Sequence, residues 1–548
     1  MDFRKKTIYQ IYPKSFKDSN GDGVGDLQGV IQKLPYLADL GIDMIWFNPF
    51  FSSPQRDNGY DISDYYSIDP LYGTMADFDQ LIAEMSAYGI EMMLDMVFNH
   101  TSTEHVWFQK ALQGDKRYQD YYLIRPKKED GAPPTNWQSK FGGSAWSPFG
   151  ESDTDCYLHL FDPTQADLNW RNPDVRQEMS RVVNFWIDKG VKGFRFDVIN
   201  LIGKDDVLLD ADDGIGKARY TDRPIVHDYL QELNRSSFGR INSVTVGEMS
   251  ATTIENCLLY SHPERNELDM TFNFHHLKVD YEDGEKWSDI PFRFDELSGL
   301  LHEWGEKMAD GNGWNALFWN NHDQPRAVSR FGNDTTYRNE SATMLATAIH
   351  LSRGTPFIFQ GEEIGLTNPY YSDLHSYRDV ESINACHMLT EKGYSTKDCM
   401  QILQKKSRDN GRIPMPWNDG PNGGFSTSEP WIPLGKNWQT INVQSETEHG
   451  VIHPYYKQLI ALRKELDIIA YGDYHAYARK HEGIYAFTRT YGEEKLLVLT
   501  NFTDKKQRVA LQPEWLNGSI LIHNYPDSHT LSADMILQPY EALAILVK

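Results

Sequence analysis

Positive charge is scarce in this chain. Its 54 Lys and Arg stand against 78 Asp and Glu, a formal net charge of −24. Such a surface repels polyanions, which excludes nucleic acid and anionic membrane surfaces as partners. An anion that binds here needs a locally built basic pocket. Cysteine is equally sparse. Cys156, Cys257, Cys386 and Cys399 are scattered and form no C-x-x-C pair. That pattern excludes a disulfide framework and fits a reducing compartment. The opening MDFRKKTIYQIYPKSF lacks the apolar centre of a secretion signal, and no apolar run reaches the roughly 18 residues of a membrane span. Internal repeats and low-complexity segments are missing as well. A soluble, cytoplasmic monomer is expected.

Aromatic residues are plentiful, with 14 Trp and 30 Tyr. Flat apolar faces with polar tips suit sugar binding, and they suit a large core equally well. At 548 residues the chain exceeds one ordinary domain.

The stretch VKGFRFDVIN at 191–200 reads as a short buried strand. Arg195 and Asp197 are two residues apart and project to one side, while Phe194, Phe196 and Val198 take the other. A guanidinium beside a carboxylate holds the acid ionised, which suits a nucleophile. A structural ion pair is the plain alternative.

Apolar strand candidates recur at 7–12, 44–47, 92–97, 193–198, 243–247, 268–274, 316–319 and 356–359, with helical patterns such as 27–40 and 75–88 between most of them. Strands alternating with helices predict a parallel (β/α)8 TIM barrel, with a doubly wound sheet as the alternative. The barrel is favoured because chemically useful polar residues fall at the C-terminal ends of the strands. The segment 101–168 is polar and rich in Gly, Pro and aromatics, so it reads as a subdomain inserted after strand 3. Beyond 465 the texture becomes strand-like with turn signals, predicting a C-terminal antiparallel β-sandwich domain over 465–548. The barrel is thus expected over 1–100 and 169–464.

Several motifs carry chemistry. Asp18, Asn20, Asp22 and Asp26 place oxygen side chains at even spacing in a Gly-rich loop, the beginning of an EF-hand-like cation site. A structural Ca²⁺ or Mg²⁺ is expected there, against a solvated Asx-turn loop. Asp95 and His100 close the third strand, and Asp61 lies in NGYDISDY. Taken singly, His100 reads as a satisfied core histidine and Asp61 as a turn acid. Glu248 ends the fifth strand and Asp323 follows the seventh. Three carboxylates at the ends of three barrel strands match what glycoside hydrolysis needs, a nucleophile and a proton donor.

These residues stand in DMVFNH (95–100), GFRFDVIN (193–200), VGEMS (246–250) and WNNHDQPR (319–326), with TQADLNW (164–170) ahead of the fourth strand. In that order they resemble the motifs of the α-amylase family of glycoside hydrolases, across nearly the whole chain. The resemblance implies Asp197 as nucleophile, Glu248 as general acid/base and Asp323 as the carboxylate that grips sugar hydroxyls. It implies Arg195 as the group keeping the nucleophile ionised, and Asp61, His100 and His322 as binders of the non-reducing glucose. Asp18, Asn20, Asp22, the Val24 carbonyl and Asp26 match the family's cation loop. Arg408 and Arg412, in SRDNGRIPMPW, lie where the α-glucosidase branch has a basic cluster; Pro416 departs from that branch's usual PMQW. No cofactor is expected for catalysis.

The motifs imply retention at an α-linkage and leave the leaving group open. The chain's opening and Val198 resemble the oligo-1,6-glucosidase branch. The loop FHHLKVDYEDGEKW (274–287) and YYSDLHSYRDVES (370–382) resemble the phospho-α-glucosidases that split trehalose 6-phosphate to glucose and glucose 6-phosphate. A phosphorylated disaccharide is therefore the expected partner, with Lys286 and Lys278, then His275, as phosphate ligands through charge-assisted hydrogen bonds. On charge pattern alone these lysines read as pairing with Glu282, Asp283 or Glu285. A neutral α-glucoside is the alternative substrate. A transglycosylase on the same scaffold differs only in how water is kept from the intermediate. A transporter-associated subunit would carry a membrane span, and a plain sugar-binding protein has no need of Arg195 beside Asp197.

Overall fold

The structure is a computed structural model and describes residues 2–526 and 530–548. Residue 1 of the expected barrel and 527–529 of the expected C-terminal domain lie outside the described residues.

Eight parallel strands form one sheet: β1 (Ile8–Ile11), β2 (Met44–Phe47), β3 (Glu91–Val97), β4 (Gly193–Asp197), β5 (Val244–Glu248), β6 (Met270–Phe272), β7 (Ala316–Leu317) and β8 (Thr355–Phe359). Their spatial order is β6-β5-β4-β3-β2-β1-β8-β7, the circular order of a TIM barrel. Every residue of β1, β2, β4 and β8 is buried. Continuous apolar runs are what a parallel sheet covered on both faces requires. Two strands are shorter than their apolar patterns: β6 stops at Phe272 and β7 at Leu317.

The helices between strands follow from local signals. Leu27–Leu40 begins at Asp26, whose carboxylate accepts from the Gly29 amide, and stops at Gly41, whose φ of 91° favours glycine. Leu27, Val30, Leu34 and Leu37 form its buried stripe. Pro173–Asp188 has Asn172 as its N-cap and Pro173 in its first turn, and it buries Val175, Met179, Val182 and Trp186.

Two compact units are present. One comprises Met1–Ile45, Ala87–Ile90 and Phe274–Lys548, the other Trp46–Ser86 and Glu91–Asn273. In the second, Ile124–Pro126, Asp155–Leu158 and Trp146–Pro148 form a small antiparallel sheet. Leu123, Trp137, Trp146, Leu158, Val198 and Leu201 pack into one cluster beside it. In the first unit, a five-stranded antiparallel sheet and a two-stranded ribbon make the C-terminal domain. Ile484–Tyr491 and Glu494–Asn501 form its central hairpin, turned at Gly492 with φ 60°. Leu497, Leu499, Leu543 and Ile545 of the sheet pack with Val509, Met535 and Leu537 of the ribbon. The resulting two-layer core is that of an antiparallel sandwich.

Candidate active site

Strand register assembles the first part of the site. Arg195 on β4 stands opposite Asp95 on β3. Its Nη1 donates to Asp95 Oδ1 at 2.6 Å and to Asp197 Oδ1 at 2.7 Å, and its Nη2 reaches Glu248 Oε2. Asp95 Oδ2 accepts from Trp46 Nε1 at 3.2 Å and the Tyr60 hydroxyl at 3.0 Å. The guanidinium is stacked 5.1 Å from the centre of the Trp46 ring. Three carboxylates thus share one buried cation. Burial pushes the Asp95 carboxyl up, and the charge of Arg195 opposes that rise. Burial works against the Arg195 charge, but Asp95 and Asp197 outweigh it and hold the guanidinium protonated. The pairing of Arg195 with Asp197 is what the two-residue spacing predicts. The Glu248 carboxylate rests on Arg195.

The backbone around these acids is unusual. The extended pattern of 194, 196 and 198 breaks at its last member: Val198 has φ 35° and ψ 39°, a left-handed conformation rare for a β-branched residue. The chain turns there into Ile199–Leu201, and Val198 enters the insert-side core cluster. Before Glu248, Gly247 has no room for a side chain. A Cβ would meet Met249 Cε at 2.5 Å, Leu268 Cδ1 at 2.6 Å and Ile199 Cγ2 at 3.1 Å.

Asp61 and His100 are both buried in the same unit. Asp61 accepts from Ser53 Oγ and the amides of Arg56 and Asp57, so it shapes the 53–61 loop. Burial pushes its carboxyl up despite those bonds. His100 Nε2 lies 3.1 Å from the Tyr60 carbonyl and 3.2 Å from Gln165 Nε2, and burial lowers its pKa, keeping the ring neutral. Asp167, in the TQADLNW stretch, pairs with the buried Lys204 at 2.7 Å. Lys204 carries no motif, and only its burial reveals the pair.

The other unit carries the remaining acid. His322 Nδ1 lies 3.0 Å from Gln10 Nε2, and its ring stacks on Tyr12 with centroids 6.1 Å apart. Arg412 donates from Nε to the His322 carbonyl at 2.8 Å and from Nη2 to Asp323 Oδ1 at 2.7 Å. Arg408 Nη1 lies 3.4 Å from the same oxygen. Burial raises the Asp323 carboxyl, but His322, Arg408 and Arg412 outweigh it and hold it well below the usual range. Arg408 also binds Asp379, which caps the helix Val380–Glu391. Sequence reasoning missed Asp379. Its signal is a helix-capping acid just ahead of an apolar-periodic stretch.

The phosphate candidates fall in three environments. Lys286 Nζ donates to Glu381 Oε2 at 2.8 Å and lies 4.7 Å from the Trp287 ring centre. The local partners Glu282, Asp283 and Glu285 are not the ones Lys286 takes. Lys278 is exposed, and His275 stacks on Trp304 at 5.3 Å. The loop is fastened by Asp280, which accepts from Arg330 and Lys406, each at 2.7 Å. Burial pulls the Lys406 ammonium down to about 8 against the Asp280 charge.

In the cation loop, Asp18 accepts from the amides of Asn20, Gly21 and Gly23 and from Ser426 Oγ. Burial raises its carboxyl, and these donors together bring it below the ordinary value. Asn20 and Asp22 each accept from the amide two residues on. Asp26 binds Ser19 with both oxygens while capping Leu27–Leu40. The donor set is all oxygen and partly anionic, which fits a hard divalent cation. Among the described residues no group of three His, Cys, Asp or Glu side chains is arranged for a metal. No described helix is long and apolar enough to cross a membrane, and all four cysteines are free.

Residues 10–472 match the family described as Alpha amylase, catalytic domain, and residues 484–543 match Alpha-amylase SusG C-terminal domain. The chain belongs to the α-amylase family of glycoside hydrolases. Among members of the α-amylase family, trehalose-6-phosphate hydrolase of Bacillus subtilis (strain 168) is 49% identical over 547 residues, covering 99% of this chain and 97% of that protein. Oligo-1,6-glucosidase of Bacillus cereus is 45% identical over 557 residues, covering 100% and 99%. The crystal structure of trehalose-6-phosphate hydrolase from Bacillus licheniformis superimposes with a TM-score of 0.96 at 50% identity, covering 100% of both chains.

Proposed function

We propose that this enzyme hydrolyses trehalose 6-phosphate to glucose and glucose 6-phosphate with retention of configuration. The observation that carries the glycosidase reading is the Arg195 fork, which bonds Asp197 through one nitrogen and Glu248 through the next. Two carboxylates on adjacent nitrogens of one guanidinium are close together, consistent with the separation of about 5–5.5 Å in retaining enzymes. Asp197 attacks the anomeric carbon while Glu248 gives its proton to the departing oxygen, releasing glucose 6-phosphate. Glu248 then takes a proton from water, whose oxygen displaces Asp197 from the glucosyl carbon. Asp323 is assigned to grip sugar hydroxyls, held ionised by Arg412 and Arg408, and Asp61, His100 and His322 are each assigned to bind the non-reducing glucose.

Lys286, Lys278 and His275 are assigned to the 6-phosphate. The whole-length similarity to trehalose-6-phosphate hydrolases supports this substrate. The loop of Asp18, Asn20, Asp22, the Val24 carbonyl and Asp26 holds a Ca²⁺ or Mg²⁺ that stiffens the turn and takes no part in bond cleavage.

The oligo-1,6-glucosidases at 45% identity carry the second reading, a neutral α-glucoside. Rates on trehalose 6-phosphate, trehalose and isomaltose separate the two. The phosphorylated sugar is expected to be strongly preferred, and Lys286→Ala is expected to raise its KM about 10-fold or more. Equal rates on the two trehaloses would overturn the phosphate assignment. Glucose released first as the β-anomer, seen by NMR, would overturn the retaining mechanism.

A further inference from the structure

Glu381 lies in the first turn of Val380–Glu391, between two cations. Its Oε2 accepts from Lys286 Nζ at 2.8 Å and lies 3.3 Å from Arg408 Nε. The Lys286 and Glu381 side chains are 20% and 26% exposed, so this pair is neither a solvated surface bridge nor a sealed one. Arg408 continues to Asp379 and to Asp323, and Arg412 also meets Asp323. A row of alternating charges therefore runs from the 275–287 loop to the third carboxylate. Three cations, Lys286, Arg408 and Arg412, meet three carboxylates, Glu381, Asp379 and Asp323.

The members of that row are not equivalent. Asp379 is buried at the base of its helix, where Arg408 holds it and its other oxygen caps Ser382. Asp323 belongs to the catalytic set. Glu381 stands at the rim and offers one oxygen to a lysine and an arginine. Those are the donors a phosphate monoester seeks. A phosphate dianion arriving at Lys286 would face the Glu381 carboxylate at near contact. Repulsion at that range in a half-buried site is little screened by salt. Charge balance also argues for exchange over addition, because the row is already neutral before the ligand arrives.

We infer that Glu381 is an internal counter-ion standing in the phosphate's place, closing Lys286 to Arg408 until an anionic sugar displaces it. A dianion outcompetes the single charge of the carboxylate for Lys286, whereas a neutral disaccharide does not. Glu381 is thereby a specificity-determining residue: it sets how much negative charge a sugar must carry to engage the two cations. This inference rests on the assignment of Lys286 to the 6-phosphate.

The test uses the full-length enzyme with Glu381→Gln, Glu381→Ala and Lys286→Ala, and measures KM for trehalose 6-phosphate and competitive inhibition by glucose 6-phosphate and by glucose. Removing the carboxylate is expected to tighten glucose 6-phosphate about 3- to 10-fold and lower KM for trehalose 6-phosphate similarly, with glucose inhibition shifted far less. Glu381→Ala guards against the amide of glutamine making a new bond. Weaker or unchanged glucose 6-phosphate binding in both Glu381 variants, with Lys286→Ala still weakening it, would overturn the counter-ion role and leave the phosphate assignment standing. Unchanged binding in Lys286→Ala would remove the phosphate assignment and this inference with it.

Discussion

Arg195 and Asp95 are register partners across the parallel β3–β4 pair, joined at 2.6 Å between Nη1 and Oδ1. The same guanidinium holds Asp197 and Glu248, so Asp95 anchors the cation that meets the two carboxylates proposed to react. Removing one member of a buried ion pair leaves the other charge uncompensated.

Asp95→Ala is therefore expected to destabilise the protein by about 3–5 kcal/mol in denaturant unfolding. It should lower kcat/KM on trehalose 6-phosphate and on trehalose by the same factor, because Asp95 is assigned no contact with phosphate. A changed ratio between the two sugars would contradict that division of roles.

Asp197→Asn keeps the size of the side chain but takes away the carboxylate proposed as nucleophile. Turnover is expected to fall by about 10⁴-fold or more, as when a residue that acts as a unit with its partners is removed. Retained turnover on an aryl α-glucoside would contradict the assignment of Asp197.

Gly247 sits directly ahead of Glu248 with three side-chain atoms within 3.1 Å of any added Cβ. Gly247→Ala should cost about 1–3 kcal/mol through overpacking. It should also lower kcat by shifting Glu248, with the melting temperature and kcat measured on the same preparation. A wild-type melting temperature and kcat would mean that Met249 and Leu268 give way freely.

Glu362 follows β8 and accepts from the Tyr456 hydroxyl at 2.9 Å, while its other oxygen is buried without a partner. Burial pushes its carboxyl up to about 8, against the Tyr456 bond and with help from Glu363. The folded state thus binds this proton more tightly than the unfolded chain, whose glutamate has the ordinary value of 4.5. The resulting stability is complete below that ordinary value and is lost as pH rises through about 8. Between about pH 5 and 9 the melting temperature of the wild type should fall further than that of Glu362→Gln. Parallel curves for the two proteins would show that Glu362 keeps no proton on folding.

The amino-acid sequence by itself determined the barrel strands, because buried parallel strands need continuous apolar runs and those runs are local. It determined that Arg195 and Asp197 share a side, because side chains in a strand alternate with period two. It also determined the antiparallel C-terminal domain, through strand-like stretches separated by turn signals. Only the tertiary structure decided what depends on the path of the chain between distant segments. Lys286 passes over three nearby acids for Glu381, 95 residues away. Arg408 gathers Asp323, Asp379 and Glu381, and Asp280 ties down its loop through Arg330 and Lys406. Val198 leaves its strand for a left-handed turn that the apolar alternation conceals, since packing into the insert-side core outweighs its backbone preference. Periodicity fixes which way a side chain faces; which charge it meets is fixed by where the loops bring their ends.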